Sequence, residues 1–363
     1  MPHRTALPDV IVLGGGLVGL ASAAALSERS LRVLLIGERR AGEASPAAAG
    51  MLAPSLEPAA GAAQRFAVAA RDHYPEYLQR LSDRSGVSIA QARGGILQVA
   101  LSDSAAEVQQ QHAVGHDRLW LNAAELSVAE PALSHASGAT HYPRDGAVDN
   151  VALIAALERL LEKDPAVTRV HGRAARVATD QSHIGVVLDD GTTLEADWLV
   201  LAAGAWTGLL GDVPRKLPVE PVRGQMVSLS GAPVRHVTYG PRAYLVPREH
   251  ETLVGATVEH VGFDCSLTPE GRAILTDAAR EISSALSGPV VRQWSGLRPM
   301  TPDGQPIIGP DPAEPRLIYA CGHSRQGVLL APLTGSCIAA LVSREPAPFD
   351  LTPFRVDRFG EVA

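Results

Sequence analysis

The feature that most constrains this chain is a glycine cluster caught between a strand and a helix. Asp9-Val10-Ile11-Val12-Leu13 is a short β-branched run of the kind that forms a buried parallel strand. It ends at Gly14-Gly15-Gly16-Leu17-Val18-Gly19, an Ala-rich helical stretch follows from Leu20 to about Arg29, and a second strand is expected over Leu31–Ile36. That is a βαβ unit with G-x-G-x-x-G at its first turn. Gly14 permits the tight turn, Gly16 lets the backbone approach a pyrophosphate, and Gly19 lets the helix pack closely on the strand. The helix N-terminus offers free N–H groups and a positive dipole end to phosphates. A Gly-rich structural turn is the alternative, but the placement predicts a dinucleotide site formed by Gly14, Gly15, Gly16, Leu17, Val18 and Gly19.

The fingerprint also requires an acid at the end of the second strand to hold the ribose hydroxyls. The segment there reads Ile36-Gly37-Glu38-Arg39-Arg40, and Glu38 is the acid available. A solvated turn charge is its alternative. Arg39 and Arg40 would suit a 2′-phosphate, though the downstream residues point away from NADP.

At 363 residues the chain exceeds what one hydrophobic core usually supports, so two interleaved domains are expected. Apolar residues at 46% and charged residues at 20% give ample core material. A net charge of −7 gives no electrostatic reason to expect nucleic acid, so any anionic substrate must be drawn by local arginines. Cys265, Cys321 and Cys337 lack CxxC spacing, which argues against a disulfide framework or zinc site and suits a reducing cytoplasm. No metal is expected. The start, Met1-Pro2-His3-Arg4, has no cleavage site before the glycines, and no later segment is apolar enough to predict an integral membrane span.

Further along, Gly42–Pro54 is small and apolar without strand alternation, which suits a loop or helix start pressed on a flat ligand. A helix is expected over 61–84, a strand over 94–100, and mixed polar structure without a site over 102–150, where His112, His116, His135 and His141 lack metal-ligand spacing. A helix at 151–163 leads to strands at Val167–Val177, Ile184–Leu188, Thr193–Ala196 and Asp197–Leu201. The last opens into Ala202-Ala203-Gly204-Ala205-Trp206, small residues that leave ligand space at a sheet's carboxyl edge. Strands at Gly224–Leu229, Ala243–Val246 and Thr252–Ala256 suggest a second sheet roofing that space. A strand at Leu317–Ala320 and a helix at about 333–343 bring the chain back. The expected fold is α/β: a discontinuous Rossmann-like domain (1–85, 145–215, 290–363) interleaved with an antiparallel-sheet substrate domain (86–144, 216–289).

The Gly14–Gly19 fingerprint, Ala47-Ala48-Ala49-Gly50-Met51-Leu52, Gly296-Leu297-Arg298-Pro299 with Thr301-Pro302-Asp303-Gly304, and Gly322-His323 through Leu330 together resemble the D-amino-acid oxidase superfamily. Within it the chain is most similar to the glycine oxidases of thiamine biosynthesis, from about residue 8 to 343 in the same order. The Ala-Ala-Ala-Gly-Met-Leu and Gly-His-x-Arg-x-Gly-x-Leu-Leu-Ala-Pro elements are the more specific ones. Gly-Leu-Arg-Pro is shared with D-amino-acid dehydrogenases.

The resemblance implies FAD rather than NAD. The fingerprint, with Glu38 and Arg39, would take the ADP half, and Ala174 would lie near the adenine. Ser45, Ala48, Ala49, Gly50 and Met51 would lie beside the isoalloxazine, with Ala203, Gly204 and Trp206 lining the same space. Gly322, His323, Arg325, Gln326, Gly327, Val328 and Leu329 would line the flavin's pyrimidine edge, where a helix N-terminus favours developing negative charge. Arg298 would grip the substrate carboxylate with its planar fork. Tyr244 would donate to the same carboxylate, and Arg325 would be a second pocket arginine. For any single arginine the alternative is a surface ion pair.

The implied reaction is hydride transfer from Cα of a neutral-amine substrate to flavin N5, without an obligatory general base. The imine would hydrolyse to a 2-oxo acid and ammonia, or pass to a thiamine-pathway partner, and oxygen would take the electrons to give hydrogen peroxide. Glycine, sarcosine, D-alanine and D-proline are all compatible, and a homotetramer is suggested. The alternatives are a D-amino-acid dehydrogenase feeding a quinone, favoured by Met300, and a non-catalytic FAD-binding subunit. There are departures: the family's acid falls on Gly37, Pro46 stiffens the flavin loop, and Arg242 stands where a smaller residue or histidine is expected. The absence of cysteine from Gly-Leu-Arg-Pro-Met favours non-covalent FAD.

Overall fold

Val10–Leu13 is buried along its whole length, as an apolar β-branched run with neighbours on both sides must be. It pairs in parallel with Val33–Ile36 on one side and Trp198–Leu201 on the other. These strands form the middle of a six-stranded sheet whose order, edge to edge, is 307–310, 317–321, 198–201, 10–13, 33–36 and 167–170. Only Ile307–Pro310 runs antiparallel. The computed structural model describes residues 7–360 apart from 58, 114 and 116, so Met1–Arg4 and His116 of the reading above lie outside the described residues.

Helices Leu17–Ser27 and Gly327–Val342 pack on one face of this sheet and are apolar nearly all round, because they are sandwiched rather than half-exposed. The second helix begins six residues before the expected position 333. Pro332 looks like a helix start in sequence but sits inside this helix. Its missing N–H leaves the Val328 carbonyl without a helical donor, and the buried Tyr74 hydroxyl donates to that carbonyl instead.

An eight-stranded sheet forms the second layer, in the order 290–300, 220–230, 251–255, 244–247, 237–239, 96–100, 138–142, 119–122. Its longest ladder joins Glu220–Ser230 to Val290–Met300 and sets Gly224 opposite Gly296 and Val222 opposite Arg298. Val290–Met300 belongs to this sheet, although the division read from sequence grouped residues from 290 onward with the nucleotide portion. Strand Val237–Tyr239 and helix Pro269–Ile282 were not anticipated. The expected strand over 167–177 is two strands. Val167–Val170 closes the parallel sheet, and Ala174–Thr179 turns away beyond Gly172 into a three-stranded meander. Among the described residues no helix is long and apolar enough to cross a membrane.

Candidate active site

A cavity of about 460 Å³ lies between the carboxyl ends of the parallel strands and the eight-stranded sheet. At one end is the glycine cluster. Gly14 has φ +129°, and a Cβ there would strike the Ala202 carbonyl. A Cβ on Gly19 would strike the Gly14 carbonyl, so Gly19 serves close packing and does not itself line the cavity. A Cβ on Gly37 would come within 2.8 Å of the Gly15 nitrogen, which explains why no acid occupies that position. Helix Leu17–Ser27 is capped by Gly16 without a side-chain bond and has no acid in its first turn, so its positive end stays unneutralised. Only the Leu17 N–H is taken, by Ser45 Oγ at 3.0 Å.

A second helix points at the same cavity. Gly327–Val342 starts from Gln326 with no side-chain cap and no acid in its first turn. His323, just before it, is 3% exposed and shares a hydrogen bond of 3.1 Å between Nε2 and Thr334 Oγ1. Burial drives its pKa down to about 3, so the imidazole is neutral.

The structure gathers nearly all the residues singled out from sequence around this one space. Gly14 through Val18, Glu38, Ser45, Ala48 through Met51, Ala174, Ala203, Gly204, Trp206, Tyr244, Arg298 and Gly322 through Leu329 all line it. Arg39 does not. Its guanidinium turns outward to Glu43 at 3.0 Å and Glu158 at 2.7 Å, while Arg40 lies over the Trp206 ring at 5.2 Å and faces the cavity. Glu38 is ion-paired with Arg173.

The Ala44–Met51 wall is pinned from behind by three side chains. Trp294 Nε1 donates to the Ala47 carbonyl at 2.9 Å, Arg248 to that of Ala49 at 3.1 Å, and Asn150 to that of Ser45 at 2.8 Å. Pro46 sits within a four-residue helix, Ala44–Ala47.

The other end of the cavity carries charge. Arg298 crosses the sheet over Gly224, where a Cβ would fall within the guanidinium. It donates to the carbonyls of Thr257 at 3.1 Å and Arg223 at 3.4 Å and forms no ion pair among the described residues. Burial lowers its pKa from the ordinary arginine value, with the Tyr244 oxygen acting in the opposite sense. An arginine still keeps its proton, so this is an enclosed cation without a counter-ion. The Tyr244 hydroxyl approaches Met226 Sδ at 3.4 Å, and burial pushes its pKa up to about 12. Arg325 does have a partner: it donates to Glu57 at 2.6 Å, and Tyr239 donates to the same oxygen at 3.1 Å. Arg242 lines the rim and reaches Glu281 at 3.4 Å. Glu57, Tyr239, Arg248 and Thr257 were missed in the sequence. None sits in a motif, and only the folded chain brings them to the site.

The FAD dependent oxidoreductase family profile matches residues 9–341. The glycine oxidase of Geobacillus kaustophilus is 33% identical over 374 residues, covering 99% of this chain and 98% of that protein. The chain belongs to this family. The crystal structure of glycine oxidase from Geobacillus kaustophilus superposes with a TM-score of 0.91 at 31% identity, covering 98% of this chain and 99% of that one. The bifunctional protein ThiO/ThiG of Synechocystis sp. is 34% identical over 364 residues, covering 97% of this chain and 54% of that protein. The chain therefore spans about half the length of that relative.

The family's cofactor is FAD, and this cavity fits it. The glycines at 14, 19 and 37 clear a cradle that any Cβ would fill, and two uncapped helix ends face the same space from different strands. The enzyme is an FAD-dependent oxidoreductase.

Proposed function

We propose that this oxidoreductase acts on glycine or a comparably small amino acid. The observation that carries the reading is Arg298: an enclosed guanidinium with no protein carboxylate, beside a Tyr244 hydroxyl that stays protonated. A substrate carboxylate completes that arrangement by supplying the missing counter-ion and two acceptor oxygens. Arg298 and Tyr244 thus fix the acid end and turn Cα toward the Ala48–Met51 wall. Glu57 engages Arg325, so the second pocket arginine is not an equal competitor for the same carboxylate. Bound FAD supplies the two-electron acceptor for the Cα hydride.

On this reading Gly14–Val18 receive the pyrophosphate and Glu38 the ribose. Ser45–Met51 flank the isoalloxazine, Ala174 and Ala203–Trp206 line the adenine and central parts, and Gly322–Leu329 face the pyrimidine edge. The absence of cysteine near Arg298 supports non-covalent attachment. The two sheets form two interleaved domains, with Val290–Met300 counted with the roof. Oxygen takes the electrons to give hydrogen peroxide, and the imine serves thiamine biosynthesis, as the likeness to ThiO/ThiG supports. A cytoplasmic homotetramer completes the proposal.

The test is an anaerobic titration of the yellow holoenzyme with glycine, sarcosine, D-alanine, D-proline and L-alanine, followed by air. Bleaching by glycine or a D-amino acid and not by L-alanine, with fast recovery and peroxide in air, is the expected result. Bleaching without fast recovery would transfer the reading to a dehydrogenase. No bleaching would overturn the substrate class.

A further inference from the structure

We propose that Thr257 and Glu259 are positioning residues that build the seat of Arg298 and leave its outer face free for a carboxylate. The proposal rests on the reading of Arg298 as the carboxylate anchor.

The ladder between Glu220–Ser230 and Glu251–Gly255 ends at the pair Met226–Gly255. Beyond it the chain would be expected to peel away, yet it is caught again. Thr257 N donates to the Gln225 carbonyl at 3.2 Å, and Gln225 N donates to Thr257 Oγ1 at 2.8 Å. Arg223 and Glu259 then exchange both backbone hydrogen bonds at 2.9 Å. This irregular second contact presents the Thr257 and Arg223 carbonyls side by side, and both accept from Arg298 Nη1. Nη2 and Nε of Arg298 have no partner among the described residues.

Glu259 holds the contact together with its side chain. One oxygen accepts from Gln225 Nε2 at 2.8 Å and from the Thr257 hydroxyl. The other accepts from Arg223 Nε at 3.1 Å and Nη2 at 2.5 Å. Arg223, whose side chain is 4% exposed, also reaches Asp264 at 2.7 Å. The network has two consequences. It fixes the carbonyls that aim Arg298. It also neutralises the neighbouring Arg223, so that Arg298 is the cation left to attract the substrate. Threonine at 257 has the chemistry for this, because its hydroxyl accepts from one strand while donating to the carboxylate.

The test is equilibrium titration of holoenzyme with acetate, a carboxylate with no oxidisable amine, followed by flavin absorbance, alongside steady-state kinetics with glycine. Thr257→Val should weaken acetate binding about tenfold and raise KM for glycine by a similar factor, with kcat within about twofold. Thr257→Ser should restore both, because it keeps the hydroxyl. Glu259→Gln should shift both in the same direction as Thr257→Val. Arg298→Met is the control and should abolish acetate binding. Wild-type acetate affinity in Thr257→Val and Glu259→Gln, with binding lost in Arg298→Met, would overturn the positioning roles and leave the anchor intact. Retained binding in Arg298→Met would overturn both.

Discussion

The two ends of the cavity are built on opposite principles. The glycine end works with backbone: three positions where a Cβ cannot fit and a helix end with nothing to neutralise it. The arginine end works with side chains from segments far apart in sequence, in which Arg298, Tyr244, Thr257, Arg325 and Glu57 meet only in the fold. The first selects by shape and the second by charge. A change at one end should therefore leave the other's ligand in place, and that independence can be tested directly.

The largest effect is expected at Gly14. Alanine there must hold φ +129° and push into the Ala202 carbonyl, a combined cost of about 3 kcal/mol or more. Gly14→Ala should purify largely without flavin, as the ratio of flavin to protein absorbance would show. Arg298→Met should do the reverse, remaining yellow while KM for glycine rises about a hundredfold, in line with about 3 kcal/mol for a charge-assisted pair. Loss of flavin from Arg298→Met would break the comparison by showing that the two ends fold as one unit.

The same contrast explains what could be read from the chain alone. The glycine end lies within a single βαβ unit, so strand, turn and helix reveal it by local pattern, and Gly14–Gly19 needed no knowledge of the rest. Arg298 and Tyr244 were found only because they lie in recognisable motifs. Glu57 lies in Ser55-Leu56-Glu57-Pro58, where nothing local marks it, and Thr257 follows a strand as an ordinary loop residue would. Pro332 misled in a different way. It reads as a helix start, and only Tyr74, from a helix more than two hundred residues earlier, allows it to sit inside one.

Two predictions sharpen the picture of the helix that carries Gly322–Leu329. His323 is neutral in the fold, with its pKa lowered by burial to about 3, whereas the unfolded chain protonates it near the ordinary value. Between those values the unfolded state binds the extra proton, so the stability this site supports is complete above the ordinary value and is lost as pH falls toward 3. Denaturant midpoints at pH 7 and pH 5 should show a loss of about 2 kcal/mol that is smaller in His323→Gln. Equal losses in the two proteins would rule His323 out as the source. Tyr74→Phe removes the donor that serves the Val328 carbonyl and should cost about 1–2 kcal/mol, read as a Tm lower by a few degrees. Flavin content should be unchanged unless that helix end is more loosely held than its packing indicates.

The smallest expected effect is none at all, and it tests the charged end. An ordinary tyrosine ionises near pH 10, and if Tyr244 did so its phenolate would repel the carboxylate that Arg298 attracts. Burial first of all, only partly offset by the positive charge of Arg298 and Arg325, moves Tyr244 up to about 12. The hydroxyl thus remains a donor through the range in which exposed tyrosines lose their protons. Acetate is fully ionised throughout, and the arginine keeps its charge. Its affinity for the holoenzyme should therefore be flat from pH 8 to about pH 11. A fall centred near pH 10 that disappears in Tyr244→Phe would mean that water reaches the hydroxyl, and the arginine end would then be an open, solvated clamp.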